Sequence, residues 1–134
     1  MSYVDGFVIP VPKKNLPAYK RIASAAGKIW MELGALAYCE CVGDDLKIKE
    51  IPASFPKIAG VRAGETVLFS WIVYKSRAHR DQVNRKVMAD PRIAKMCGES
   101  TPFDFKRMAY GGFKSIVELP RGAKPVRKAA ASRR

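Results

Sequence analysis

A chain of 134 residues is the size of one ordinary domain, and 48% apolar residues, including 10% aromatic ones, suffice for a hydrophobic core. The longest uncharged apolar stretch, residues 67–74, is too short for a membrane-spanning helix, which takes about 20 residues. The first residues show no basic start followed by an apolar run, so we expect no secretory signal, a cytoplasmic protein and no membrane partner.

The formal net charge of +13 is unevenly distributed along the chain. Residues 120–134 hold six basic and no acidic residues, so residues 1–119 carry 19 basic against 12 acidic residues, a charge of +7. The Pro, Gly, Ala, Lys and Arg of the last segment cannot bury a core. We therefore predict one folded domain over residues 1–119 and a basic, disordered tail over residues 120–134.

The first predicted elements are a strand and a helix. The strand should end near Val8, because Pro10 and Pro12 cannot donate hydrogen bonds to a central sheet ladder. Apolar or small residues then recur at the three-and-four spacing of a helix with one buried stripe. This helix is predicted to start after a cap at Asn15 and to end at Gly34, which can adopt a positive φ.

Two more strands and a second helix follow. Residues 35–42 predict the second strand, and residues 46–64, with several prolines and glycines, predict a long connection containing one irregular turn. Residues 66–74 form the clearest strand, rich in β-branched and aromatic residues. Ser76 is the predicted cap of a helix that extends through Met88.

The last predicted elements are a short helical segment at residues 93–96 and a fourth strand at residues 105–113. The resulting order, βαββαβ, is that of the ferredoxin-like α+β fold. In this fold a four-stranded antiparallel sheet carries two helices on one face. The other face of the sheet is left bare.

The third strand is apolar on both of its faces. One face holds Val67, Phe69, Trp71 and Val73, and the other holds Leu68, Ser70, Ile72 and Tyr74. A sheet face in water would alternate apolar with polar residues, and no remaining predicted element is large enough to cover the second face. We therefore expect a homodimer, in which a second copy of the chain provides the cover.

Three segments resemble the YbaA-like family of domains of unknown function: MSYVDGFVIPVPK, TVLFSWIVYKSRAHRDQVNRKVMADPR and PFDFKRMAYGGFKSIV. The resemblance spans about residues 1–119. It implies membership of the dimeric α+β barrel superfamily, in which two ferredoxin-like sheets pair through their bare faces. Relatives in that superfamily include cofactor-free monooxygenases, haem-degrading enzymes, isomerases and ligand-sensing domains, so the fold alone does not choose a function.

His79 is the only histidine and the candidate catalytic residue. A helix start at Ser76 places it in the first turn, with its side chain inclined toward the sheet. An imidazole there could act as a general base or orient a phenolic substrate, because it titrates nearest neutrality. Arg77 and Asp81 are its neighbouring candidates. A single histidine without an identified partner is more often a helix-start residue bonded to backbone.

Aromatic residues in the predicted strands could line a ligand cavity and orient a substrate through their polar groups. Such residues more often belong to a core or an interface. The candidate pocket residues, including the neighbours of His79, are Tyr38, Trp71, Tyr74, Arg77, Asp81 and Tyr110.

Basic residues offer a second kind of partner, a nucleic acid or another polyanion. Lys106 and Arg107 stand beside Phe103 and Phe105, a mixture of basic and aromatic residues that can contact single-stranded nucleic acid. Basic arms such as the tail bind polyanions weakly and nonspecifically. The candidate residues are Lys106, Arg107, Arg121, Lys124, Arg127 and Lys128. Because no known RNA-binding sheet motif is present, a solvated edge is the alternative interpretation.

The three cysteines do not predict a disulfide framework or a metal centre. Cys39 and Cys41 share one face of the second strand, and a soft metal there would need further ligands, since structural zinc takes four. Small buried thiols are the preferred interpretation. We predict neither a metal nor a cofactor.

Three hypotheses of function follow. The first is a homodimer that binds or converts a small molecule between sheet and helices, as a cofactor-free oxygenase or isomerase does. The second is an accessory protein that binds RNA or another polyanion through its basic surface and tail. The third is a noncatalytic stress or scaffold dimer.

Overall fold

Four antiparallel strands form one sheet in a computed structural model that describes residues 1–97 and 101–119. The sheet order is β2–β3–β1–β4. The strands are β1 (Tyr3–Pro12), β2 (Ala37–Val42), β3 (Glu65–Tyr74) and β4 (Ala109–Lys114). The tail predicted over residues 120–134 lies outside the described residues.

Helices connect these strands. They are α1 (Leu16–Glu32), α2 (Phe55–Ala59), α3 (Arg77–Met88) and α4 (Pro91–Cys97), with short 3-10 turns at Lys13–Asn15 and Phe105–Arg107. Within the described part of the chain, every helix is too short or too polar to cross a membrane.

Helices α1 and α3 pack on the same face of the sheet. One core cluster brings Ile29 of α1 and Val83 and Val87 of α3 onto Ile72 and Tyr74 of β3. A second cluster joins α1 to β1 and β3. The predicted ferredoxin-like α+β fold, with a four-stranded antiparallel sheet and helices on one face, is confirmed.

The first strand continues past its predicted end at Val8, through Pro10, to Pro12. Pairing with β4 stops at Val8, so one side of β1 becomes a sheet edge beyond that residue. The N–H of Lys13 donates to Gly64 on the β3 side at 2.9 Å. Because successive N–H groups point to opposite sides of a strand, both prolines face the free edge and remove no ladder hydrogen bond. The predicted end was wrong for this reason.

Of the two predicted helix caps, Ser76 is confirmed and Asn15 is wrong. Ser76 is extended, and its Oγ accepts the N–H of His79 at 3.1 Å. Asn15 already has helical backbone angles, because a 3-10 turn runs directly into α1. Its side chain donates instead to the carbonyl oxygen of Pro102 at 3.0 Å. The amide therefore ties the start of α1 to a distant loop.

The fourth strand begins later than predicted. Residues Phe105–Arg107 form a 3-10 turn, in which Asp104 Oδ1 accepts the N–H of Lys106 at 2.9 Å. Arg107 is held by Glu65, so this segment bends away from an extended path. The strand pairs with β1 only from Ala109 onward.

Apart from Glu65 at the start of β3, the sheet face opposite α1 and α3 is apolar in every strand. We call this surface the open face; the pairing register assigns to it Val4, Gly6, Val8, Ala37, Cys39, Cys41, Phe69, Trp71, Val73, Ala109, Gly111 and Phe113. One end of the same face is covered by the chain itself, contrary to expectation. There α2 packs against β1 and β3, and the Phe55 ring meets the Phe69 ring edge-on at 5.9 Å. Val67 is buried beneath this end.

Candidate functional site

A cleft of about 1060 Å³ lies between α1 and β2, on the helix-covered side of the sheet. Its walls are mainly apolar, with Leu16 and Ala23 from α1 and Leu68 from β3. Lys20 and Lys28 stand on the exposed side of α1 at its rim. We call this cavity the α1–β2 cleft; its size suits a small-molecule ligand.

Glu40 is the acidic centre of the α1–β2 cleft. Its Oε1 accepts the hydroxyl of Tyr19 from α1 at 2.8 Å, and its Oε2 accepts the hydroxyl of Tyr38 from β2 at 2.8 Å. Burial raises the pKa of both tyrosines, and the nearby Glu40 carboxylate raises it further. Both phenols therefore stay protonated and serve as hydrogen-bond donors.

Gly27 allows the Tyr38 ring to lie against α1. A β-carbon at Gly27 would come within 2.7 Å of two ring carbons of Tyr38, closer than real side chains approach. The ring also lies 6.2 Å from the ring of Trp30 in α1, centroid to centroid. The helix backbone and an aromatic neighbour thus position the hydroxyl that Glu40 accepts.

A second cluster of polar side chains surrounds Asp5 of β1, two strands away from β2. Asp5 is 1% exposed. Its Oδ1 accepts Arg80 Nη1 at 2.6 Å, and its Oδ2 accepts the Tyr110 hydroxyl at 3.1 Å. Burial raises the pKa of Asp5, and this effect outweighs the lowering by Arg80, Tyr110 and Asn84. Asp81 accepts a further bond from Arg80 Nε at 2.8 Å.

Asn84 of α3 extends this polar group toward α1. Its Oδ1 accepts Trp30 Nε1 and the Tyr74 hydroxyl, each at 3.3 Å. Burial raises the pKa of Tyr74, and the charge of Asp5 adds to that effect. These contacts join α1, β3 and α3 through part-buried polar atoms, and the residues that make them do not line the α1–β2 cleft.

His79 lies at the start of α3, outside the α1–β2 cleft. Its Nδ1 accepts the backbone N–H of Lys75 at 3.0 Å, and its ring meets the Tyr74 ring edge-on at 5.9 Å. These are the contacts of a residue that stabilises a helix start. A catalytic role for His79 stays a prediction.

The other predicted pocket residues are spread over the molecule. Tyr38 lines the α1–β2 cleft, whereas Trp71 belongs to the open face and Tyr74 is fully buried. Arg77 is exposed at the first residue of α3, and Asp81 and Tyr110 both contact Arg80.

The candidates for polyanion binding differ in availability. Lys106 is exposed. Arg107 forms a two-point ion pair with Glu65, at 2.7 and 2.8 Å, and donates to the carbonyl oxygen of Gly60 at 2.7 Å. Its guanidinium is thus engaged within the chain. The tail residues Arg121, Lys124, Arg127 and Lys128 lie outside the described residues.

Sequence reasoning missed Glu40 and Asp5, the acidic residues at the centres of the two polar clusters. Asp5 and Glu40 each interrupt an otherwise apolar strand, and an ionisable residue on the buried face of a strand needs a partner. That pattern could have singled them out. Their partners Tyr19, Arg80 and Asn84 sit on helices far along the chain and carry no such signal.

Comparisons with known proteins bear out the resemblance. The chain is 45% identical over 118 residues to the uncharacterized protein YbaA of Escherichia coli K12, covering 88% of this chain and 99% of YbaA. The YbaA of Shigella flexneri matches to the same extent.

Solved structures share the fold at low sequence identity. Rv0793 from Mycobacterium tuberculosis superposes with a TM-score of 0.56 at 14% identity, covering 90% of this chain and all of that one. SnoaB, a cofactor-independent oxygenase from Streptomyces nogalater, has a TM-score of 0.52 at 13% identity, covering 90% and 98%. An uncharacterized NIPSNAP domain protein from Burkholderia xenovorans has a TM-score of 0.53 at 12% identity, covering 88% and 98%.

A family profile also matches most of the folded part. Residues 2–105 match the family described as protein of unknown function (DUF1428). Together with the 45% identity over nearly the whole of YbaA, this match decides the assignment. The chain belongs to the YbaA-like DUF1428 family.

Proposed function

We propose that this protein is a homodimer that binds a small, mainly apolar molecule carrying a hydroxyl group in the α1–β2 cleft of each subunit. The observation that carries the proposal is the position of Glu40. Its carboxylate stands in a mainly apolar cleft and is held from both walls by the hydroxyls of Tyr19 and Tyr38.

The class of ligand follows from the hydrogen bonds that Glu40 can still accept. An ionised carboxylate offers about four acceptor sites, and the two tyrosines occupy two of them. A ligand hydroxyl can donate to a remaining site, while an apolar ligand body fits against Leu16, Ala23 and Leu68. Displacing water from such walls favours a flat or aliphatic ring system over a sugar or nucleotide.

The reaction class is proton abstraction from that hydroxyl or from a carbon activated by it. Glu40 would act as the general base, and the two tyrosine hydroxyls would stabilise its charge between turnovers. An isomerase returns the proton to another atom of the substrate. In the oxygenase version, one O₂ converts an activated CH₂ group into a carbonyl and releases water. SnoaB, described as a cofactor-independent oxygenase, supports this version through its shared fold.

Self-association is supported by the composition of the open face. Its register positions hold no charged residue, and Phe69 and Phe113 are 42% and 62% exposed there. In a monomer this surface would be exposed to water, which is unfavourable by about 25 cal/mol of free energy per Å² of apolar area. A second copy supplies a surface of the same chemistry and removes that cost.

The binding proposal is tested with 2-naphthol, a fluorescent apolar phenol, titrated into the full-length protein. Glu40→Gln keeps the volume of the side chain but removes its charge, and we expect about tenfold weaker binding because a hydrogen bond to a charged acceptor is lost. Tyr38→Phe should weaken binding less, since Glu40 remains. Glu50→Gln, a matched change at an exposed loop residue, should bind as the unaltered protein does.

Two results separate the competing sites. Equal affinity for Glu40→Gln and the unaltered protein would remove the α1–β2 cleft from consideration. Loss of binding in His79→Ala but not in Glu40→Gln would transfer the site to the start of α3.

Turnover is measured separately, as the oxygen consumed when an anthrone, which has an activated CH₂ group, is added as the substrate.

A further inference from the structure

The two cysteines of β2 bring their sulfur atoms together. Cys39 and Cys41 lie two residues apart on an edge strand of the sheet, and both side chains point to the open face. Their Sγ atoms are 3.7 Å apart, and both residues are partly exposed. Cys41 is among the residues that line the α1–β2 cleft, but the Glu40 side chain points to the opposite face of β2, and the proposed ligand site at Glu40 uses neither thiol.

The geometry of a strand disfavours a disulfide between them. Residues two apart in an extended strand have Cα atoms about 6.6 Å apart, with parallel Cα–Cβ bonds. A disulfide needs its Cβ atoms at about 3.8 Å, so forming one would bend β2 and break its pairing with β3. The two sulfurs can approach each other only through their side-chain rotamers.

A bridging atom fits where a direct bond does not. Two sulfurs bound at about 2.3 Å to one atom are about 3.4 to 3.8 Å apart as the bond angle opens from the pyramidal to the tetrahedral value, a range that includes the 3.7 Å between these thiols. We propose that Cys39 and Cys41 form a two-thiolate site for thiophilic metals and metalloids, of the class represented by trivalent arsenic.

The number of further ligands near Cys39 and Cys41 determines which of these ions the site can hold. Within residues 1–97 and 101–119, no group of three or more His, Cys, Asp or Glu residues is arranged to hold a metal ion. Zinc, which takes four ligands, is therefore served poorly by this site alone. An organic arsenic(III) centre needs only two thiolates. Phe69 and Trp71 pair with the two cysteines across the ladder and provide an apolar border for its organic group.

The binding step is an exchange without oxidation or reduction. The hydrated form of phenylarsine oxide, C₆H₅As(OH)₂, reacts with two thiols to form two As–S bonds and releases two water molecules. The thiol protons leave in that water. Burial raises the pKa of the Cys39 thiol, and its hydrogen bond with Cys41 raises it further, so Cys39 enters the exchange as a thiol. Arsenic remains trivalent throughout.

The test uses full-length Cys97→Ser, in which only these two cysteines remain. Phenylarsine oxide is titrated at nanomolar and at micromolar protein concentration. The proposed dimer would cover the thiols at the higher concentration and expose them at the lower one, so the comparison shows whether dimerisation blocks the reaction. Native mass spectrometry counts adducts, and a Trp30→Phe background leaves Trp71, which pairs with Cys39, as the single tryptophan whose fluorescence reports binding. We expect one phenylarsenic unit per chain, released by a small dithiol.

Removing one thiol should abolish the chelate. Cys39→Ser and Cys41→Ser, each made in the Cys97→Ser background, should bind at least about 100-fold more weakly, because the second bond is no longer intramolecular. Cys39→Ala and Cys41→Ala serve if a serine variant does not fold, as judged by circular dichroism. No adduct in Cys97→Ser at either concentration, or unchanged affinity in a folded single-thiol variant, would overturn the proposal.

Discussion

Arg80 of α3 donates from Nη1 to Oδ1 of Asp5 on β1 at 2.6 Å, across 75 residues of sequence. The carboxylate is almost fully enclosed, whereas the guanidinium reaches the surface. The same Nη1 also donates to the Tyr110 hydroxyl of β4 at 3.0 Å. One cation thus ties a helix to two neighbouring strands.

Replacing this cation tests its effect on stability. In Arg80→Met the buried Asp5 carboxylate loses its counter-ion, and we expect the free energy of unfolding at pH 7 to fall by about 3–5 kcal/mol. The deficit should shrink as the pH falls. Burial already raises the pKa of Asp5, and loss of Arg80 raises it further, so the folded variant takes up a proton more readily than the unfolded chain. Urea denaturation at several pH values measures both effects.

The double variant provides the control for this pair. Asp5→Asn combined with Arg80→Met removes both charges, so it should be more stable at neutral pH than Arg80→Met alone. Equal stability of the single and double variants, or a deficit in Arg80→Met that does not change with pH, would contradict an ionised Asp5 in the folded protein.

The ion pair of Glu65 and Arg107 should make stability depend on acid pH. Two hydrogen bonds from Arg107 lower the pKa of Glu65 to about 2, below its value of 4.5 in an unperturbed chain. The stabilisation is therefore present above about pH 4.5 and is lost as the pH falls toward 2.

Glu65→Gln tests this dependence by thermal unfolding. We expect the variant to melt about 4 °C lower at pH 7 and to approach the unaltered protein near pH 2. Glu50→Gln, at an exposed loop residue, should follow the unaltered protein throughout. A constant difference between Glu65→Gln and the unaltered protein over that range would show that the ion pair does not titrate as described.

Gly27→Ala tests the support of the α1–β2 cleft. The added methyl group meets the Tyr38 ring, and the overpacking cost of about 1–3 kcal/mol exceeds the helix-propensity gain of about 1 kcal/mol. We expect lower stability in urea and weaker 2-naphthol binding. Ala25→Gly, on the exposed side of the same helix, calibrates the propensity effect and should leave binding unchanged. A Gly27→Ala protein more stable than the original would contradict the contact.

Phe113→Asp tests the proposed homodimer. A charge on the open face should oppose its burial, so light scattering at micromolar concentration should report a monomer for this variant and a dimer for the unaltered protein. Met88→Asp alters a residue of α3 that is equally exposed, at 62%, and should remain dimeric. A monomeric unaltered protein under these conditions would end the proposal.

Local patterns predicted most elements of the fold. Ser76 caps α3 as expected, because its side chain bonds within its own turn. The alternation along β3 correctly separated Leu68 and Ile72 from Phe69 and Trp71. The roles of Asn15 and Pro10 were misjudged. The hydrogen-bond partner of Asn15 lies 87 residues away, and the free edge beside Pro10 exists only because β4 begins at Ala109.

The sequence by itself determined the βαββαβ order, the apolar character of both sheet faces and the family. Those features depend on short-range periodicity and on contiguous motifs. Only the tertiary structure decided the candidate site, because Glu40 becomes an acidic centre when Tyr19 and Tyr38 reach it from two different elements. In the same way, Asp5 acquires Arg80 only after α3 has packed on β1. A carboxylate and its hydrogen-bond donors are brought within 3 Å by packing, and the spacing of residues along a chain does not encode that distance.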